Sequence, residues 1–173
     1  MLMHLFVDES KAGAYLLVAA CVEASTIATA RHRLDALLLP GQKRIHMKTE
    51  RKERRDLIAK SVTSMGQQCC VLDAGRCFPT ERQARAACLE MLIGRYPRAT
   101  TLNLERDESL VDFDRTVLFR ATRGLSTRPI YTHASAADEP LLSLPDIVAW
   151  CWARGGSWRD RIRPVAQRIG VEP

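Results

Sequence analysis

The sequence predicts an α/β fold, a single domain over residues 1–173 built on a mixed β-sheet flanked by helices. Three observations predict it. Met1–Ser10 is a nearly unbroken apolar run that stops at Asp8-Glu9, as expected of a strand covered on both faces. Ala14–Val22 is a second apolar run of strand length, joined to the first by so short a turn that the two pair antiparallel. Later in the chain, helix-like and strand-like stretches alternate. At 46% hydrophobic residues, 173 residues supply one real core but too little chain for two.

Taken in order, the hairpin is followed by a helix that Ser25 or Thr26 caps and that runs through Leu39, where Pro40-Gly41 ends it. In Gln42–Lys48, Ile45 and Met47 alternate with Arg44, His46 and Lys48, which makes the segment a candidate short third strand. Thr49 opens a strongly charged helix to about Met65, with Leu57, Ile58 and Val62 as a narrow apolar face. Its run Arg51-Lys52-Glu53-Arg54-Arg55 reads first as a solvated face and second as a phosphate contact. Gln68–Leu72 is a strand ending at Asp73, and after the Ala74-Gly75 turn a helix runs from Pro79-Thr80 to Tyr96. Thr100–Glu105 is a strand, Leu110–Arg123 a helix that Gly124 ends, Pro129–His133 a short strand and Ala134–Glu139 a polar loop. Leu141–Ala153 is an apolar helix holding a single acid, Asp146; Gly155-Gly156 breaks it, and a tail with Arg159, Arg161, Arg163 and Arg168 follows.

The net charge is +6, and Arg supplies 21 of the 26 basic residues, so the surface attracts polyanions and offers planar phosphate donors. Nucleic acid, RNA or DNA, is therefore the leading partner class. Six cysteines lie mostly in apolar runs without zinc-like or CxxC spacing, and read as reduced core residues. No secretory leader and no run of 18 apolar residues is present, so no membrane association and a soluble, cytoplasmic protein are expected.

Three acids stand where core packing does not ask for them. Asp8 ends the first strand, Glu105 ends a later one, and Asp146 interrupts an apolar helix. Open sheets place their sites at strand ends, and carboxylates that converge there repel unless they share Mg²⁺ or Mn²⁺. Such ions activate water for phosphodiester cleavage. Each acid has an ordinary alternative: Asp8 as a turn residue, Glu105 as part of the solvated cluster Glu105-Arg106-Asp107-Glu108, and Asp146 as a helix-start acid after Pro145.

VDES at the end of the first strand, IHMK before a charged helix, a strand ending in an acid, and LLSLPDIVAW near the C-terminus together resemble the bacterial family called domain of unknown function 3800. The resemblance covers most of the chain in order, although Lys11 stands where that family usually has Gly. Likewise Leu142-Ser143-Leu144-Pro145-Asp146 keeps the motif's Asp but not its Gln or Ala. It implies a ribonuclease H-like, or retroviral-integrase-like, fold and a metal-dependent nuclease site, with Asp8 and Asp146 as metal ligands. Glu105 is the preferred middle acid, ahead of Asp107 and Asp73, which also lie at strand ends. Glu9 is expected to be an auxiliary ligand or to support one. His46 matches the family's histidine and would orient or protonate a leaving group; His133 is a weaker candidate of the same kind. The alternative is a module of the same fold that binds nucleic acid or protein without turnover, in a defence or toxin-related system. A further reading makes Trp150, Trp152 and Trp158 anchors for an acidic partner or a second copy of the chain, against the ordinary expectation that such residues are core.

Overall fold

The structure, a computed structural model, describes residues 2–173. Its elements are β1 (Met3–Ser10), β2 (Tyr15–Glu23), α1 (Ile27–Asp35), α2 (Lys52–Met65), β3 (Gln68–Gly75), α3 (Glu81–Arg95), β4 (Thr101–Glu105), α4 (Val111–Ala121), β5 (Ile130–Ala134), α5 (Ser143–Arg154), α6 (Gly156–Ile162) and β6 (Ala166–Gly170). The six strands form one mixed sheet in the order β5-β4-β1-β2-β3-β6. β2 lies between β1 and β3 and is antiparallel to both, β4 and β5 run parallel to β1, and β6 runs parallel to β3. This is the mixed α/β sheet that the sequence predicts, and its topology is compatible with a ribonuclease H-like fold.

Alternation along the strands divides the core in two. Phe6, Leu16, Val18, Ala20 and Val71 pack with α1, α2 and α5 on one face, while Leu5, Val7, Leu17, Ala19 and Leu72 pack with α3 and α4 on the other. β1 and β2 are covered on both sides, which explains their unbroken apolar runs. Helix ends follow local chemistry. The Thr80 hydroxyl accepts from the Gln83 backbone N–H at 3.2 Å to start α3, and Gly66, at φ +72°, terminates α2 in the left-handed region that glycine tolerates. No helix among the described residues is long and apolar enough to cross a membrane.

Three expectations change. Helix α1 ends at Asp35 rather than Leu39, with Leu37 and Leu38 carried to the core by turns. Gln42–Lys48 is not a strand but an irregular strap: its alternation arises because Ile45 and Met47 plug into the core while Arg44 and His46 lie above them. The tail adds a sixth strand, β6, that charge concealed. Of the tryptophans, Trp152 is buried, whereas Trp150 and Trp158 are half-buried and meet edge to face at 5.1 Å.

Candidate active site

Asp8 lies one alternation step beyond Phe6 and so emerges on the α5 face, at the end of central strand β1. Val7 pairs with Leu104 in the parallel neighbour β4, and Leu104 points to the opposite core, which puts the next residue, Glu105, on the same face as Asp8. α5 packs across β1 and β2 and carries Asp146 in its first turn. These three acids line one cleft of about 360 Å³, together with Glu9, Arg44, His46 and Arg106.

Their mutual proximity carries an electrostatic cost. Burial, then repulsion from Asp146, with smaller contributions from Glu105 and Glu9, pushes the Asp8 carboxyl from 3.8 up to about 7, although the Glu9 backbone N–H donates to it at 2.7 Å. Burial also raises Glu105, with Arg44 opposing and Asp146 reinforcing the shift. The carboxyl-carbon titration of Asp8, followed by NMR in the metal-free protein, is expected to fall in Asp146→Asn yet stay above the ordinary carboxylate range, because burial remains. An unchanged midpoint would separate the two acids.

The strap supplies two of the cleft's basic groups, and Arg106 after β4 a third. Arg44 Nη1 lies 3.3 Å from Glu105 Oε1, and His46 Nδ1 lies 3.5 Å from Asp146 Oδ1, while the Met47 backbone N–H donates to Asp146 Oδ2 at 3.3 Å. The contact with Asp146 raises the His46 pKa, favouring the protonated ring. Glu105 Oε2 is buried and accepts no hydrogen bond of good geometry among the described residues, although the Ala136 backbone amide is close enough to lower its pKa. Helix α2 holds the strap in place. Arg55 donates to the carbonyls of Met47 and Lys48 at 2.8 and 2.9 Å, and Arg54 donates to buried Glu50 and to the Leu37 carbonyl. The charge run on α2 is thus partly turned inward as scaffold rather than left to solvent.

Other candidates fall elsewhere. Asp107 accepts from the Ser109 N–H and hydroxyl and caps the turn into α4. Asp73 pairs with Arg168 at 2.7 Å across β3 and β6. Glu9 borders the cleft, but its carboxylate is held by the Tyr15 hydroxyl at 2.5 Å, Arg85 at 2.7 Å and Lys11 at 2.9 Å. His133 Nε2 is 2.9 Å from Asp114 on the α4 side of the sheet. Nothing in the sequence marks Arg106 as a cleft residue, whereas Arg44 shares the alternation that puts His46 on the outer side of the strap.

Among the described residues, no three His, Cys, Asp or Glu side chains are gathered closely enough to ligate a metal as placed. No protein-family model matches the chain, and no curated protein matches it.

Proposed function

We propose that the chain is a Mg²⁺- or Mn²⁺-dependent nuclease that hydrolyses phosphodiester bonds in RNA or DNA, with Asp8, Glu105 and Asp146 holding the metal. One observation carries this reading: two neighbouring strands and a crossing helix each deliver a carboxylate to the same cleft, at a cost that shows in the raised Asp8 pKa. Glu105 Oε2, buried with no donor better placed than the Ala136 amide, fits a cation, since a buried carboxylate oxygen is expensive unless well partnered. Three carboxylates form the hard oxygen set that suits Mg²⁺ or Mn²⁺. When bound, such an ion would activate water and stabilise the leaving oxygen.

The chain's own groups do the remaining work. Arg44 and Arg106, at the cleft, attract the phosphodiester and hold its oxygens. His46 lines the cleft wall, where Asp146 favours its charged form and so its role as a proton donor. The resemblance to the family of unknown function 3800 points the same way. Six free cysteines, five of them buried, suit a reducing compartment such as the cytoplasm.

Titration calorimetry with Mn²⁺ at low salt tests the proposal. The native chain is expected to bind at sub-millimolar concentration, with Asp8→Asn and Asp146→Asn each weakening binding at least tenfold, or about 1.4 kcal/mol. Loss of cleavage of labelled RNA or DNA should accompany it. A native chain that binds no metal sinks the proposal. It would favour a binding module without turnover, in which Arg44 and His46 neutralise the acids permanently, as their contacts with Glu105 and Asp146 allow.

A further inference from the structure

Asp146, Trp150 and Arg154 stand four residues apart on α5, so they share one helix face, and Arg154 lies about 12 Å along the axis from the cleft. The opposite wall comes from the end of β1 and the turn that follows it. Ser10 and Ala12 come two and four residues after Asp8. Between these walls runs a groove of about 420 Å³ lined by Ser10, Ala12, Trp150, Ala153 and Arg154.

The groove combines a rigid ring with an uncommitted cation. Trp150 is half-buried and braced by the edge contact with Trp158, and the guanidiniums of Arg55 and Arg154 lie 4.8 and 5.7 Å from its centroid. The neighbouring arginines are occupied: Arg55 by strap carbonyls, Arg159 by the Trp152 carbonyl, and Arg161 by Asp56 at 2.9 Å. Among the described residues, nothing accepts a hydrogen bond from Arg154, whose guanidinium carbon lies 5.7 Å from the Trp150 ring centroid. An exposed guanidinium with open donors is suited to a phosphate oxygen.

We propose that this groove binds an unpaired nucleotide adjoining the bond in the cleft, with its base against the Trp150–Arg154 layer and its phosphate on Arg154, so that the substrate is single-stranded nucleic acid. The location rests on the nuclease reading, while the binding chemistry does not. A duplex keeps its bases stacked on one another and presents mainly phosphates, for which the ring is superfluous. A single strand uses both components, since every base has a face to stack and each phosphate a charge to neutralise. The excess of basic residues, 26 against 20 acids, supplies the long-range attraction.

Fluorescence anisotropy with a short fluorescein-labelled oligothymidylate, in EDTA so that nothing is cleaved, tests the assignment. The native chain is expected to bind the single strand about tenfold tighter than a duplex of equal length. Arg154→Ala should weaken single-strand binding about tenfold and reduce the salt slope by about 0.7, the contribution of one phosphate on a single strand. Trp150→Leu should weaken it about tenfold with the slope unchanged. Arg154 is exposed, so its variant keeps the fold, and Arg128→Ala, at a distant arginine stacked on Phe119, should bind like the native chain. Equal affinity for duplex, equal affinity for a poly-glutamate of similar length, or indifference to Arg154 overturns the assignment. The two proposals fail separately. Asp8→Asn/Asp146→Asn is expected to retain oligonucleotide binding in EDTA, so a chain that binds single strands but no metal removes only the nuclease reading.

Discussion

Arg85→Met is expected to destabilise the folded chain by about 3–5 kcal/mol, the usual consequence of removing one partner from a buried ion pair. Arg85 is only 4% exposed and donates to Asp114 through Nε at 2.6 Å and Nη2 at 2.8 Å, and to Glu9 through Nη1 at 2.7 Å. Asp114 is fully buried, and without the arginine His133 is its only remaining side-chain partner. Urea unfolding at neutral pH measures the loss. Replacing both charges, in Arg85→Met/Asp114→Leu, should recover much of it, because the fully buried Asp114 charge is gone and Glu9 keeps Tyr15 and Lys11. A loss below about 1 kcal/mol in the single variant would mean that solvent reaches the network.

The same network sets an acid limit. Burial pushes the Asp114 carboxyl up, but hydrogen bonds from Arg85 and His133 outweigh it, and the net shift is downward. A carboxyl whose folded pKa lies below its unfolded value stabilises the native state above the unfolded value, near 3.9, and loses that contribution as pH falls through the folded one. Arg85→Met should therefore move the acid-unfolding midpoint to higher pH.

Asp8→Asn should do the reverse of most substitutions at a buried polar site and stabilise the metal-free chain. With a folded pKa of about 7 against an ordinary 3.8, Asp8 keeps a proton in the native state that the unfolded chain has released. Stability contributed at this position thus declines as pH rises from about 4 to 7, and the full cost is present at pH 8. At about 1.36 kcal/mol per pKa unit the cost is slightly above about 4 kcal/mol before screening, and with the cleft open to water it is about 2 kcal/mol. Unfolding in EDTA at pH 8 should show the variant more stable by that amount, with the difference vanishing near pH 4. Saturating Mn²⁺ should invert the order, since a ligand held only by the native site stabilises only the chain that binds it. A variant less stable than the native chain at pH 8 in EDTA would contradict the crowding of acids described for the cleft.

How much of this was legible in the sequence depends on whether the signal was local. β1 and β2 declared themselves by apolar runs and a short turn. Asp8, Glu105 and Asp146 stood out because each breaks a pattern that packing would have continued. The choice among Glu105, Asp107 and Asp73 could not be read, since it depends on which side of the sheet each faces and on partners such as Arg168, 95 residues from Asp73. Glu9 shows the same limit: one residue from Asp8, it turns to the other face and meets Arg85, 76 residues away. The strap misled in an instructive way, because Ile45 and Met47 bury alternate residues as a strand does while making no ladder. β6 escaped notice because an edge strand buries little and carries charge, so Ala166–Gly170 has no apolar period to read. The groove beside Trp150 was partly legible: the sequence offers Trp150 both as a partner anchor and as core, and its ring is half-buried.

The strand order also has a bearing on biosynthesis. β1 emerges from the ribosome first, yet its parallel neighbour β4 is made some hundred residues later, and β3 waits about as long for β6. During that interval the nascent hairpin and β3 present two open edges, one of them the apolar run Cys69–Leu72. Such a topology closes late and slowly, because long loops must be ordered before their contacts form. Growing chains are therefore most vulnerable to mispairing with one another before the last strand arrives, and the arginine of β6 that clasps Asp73 is the final latch on that edge.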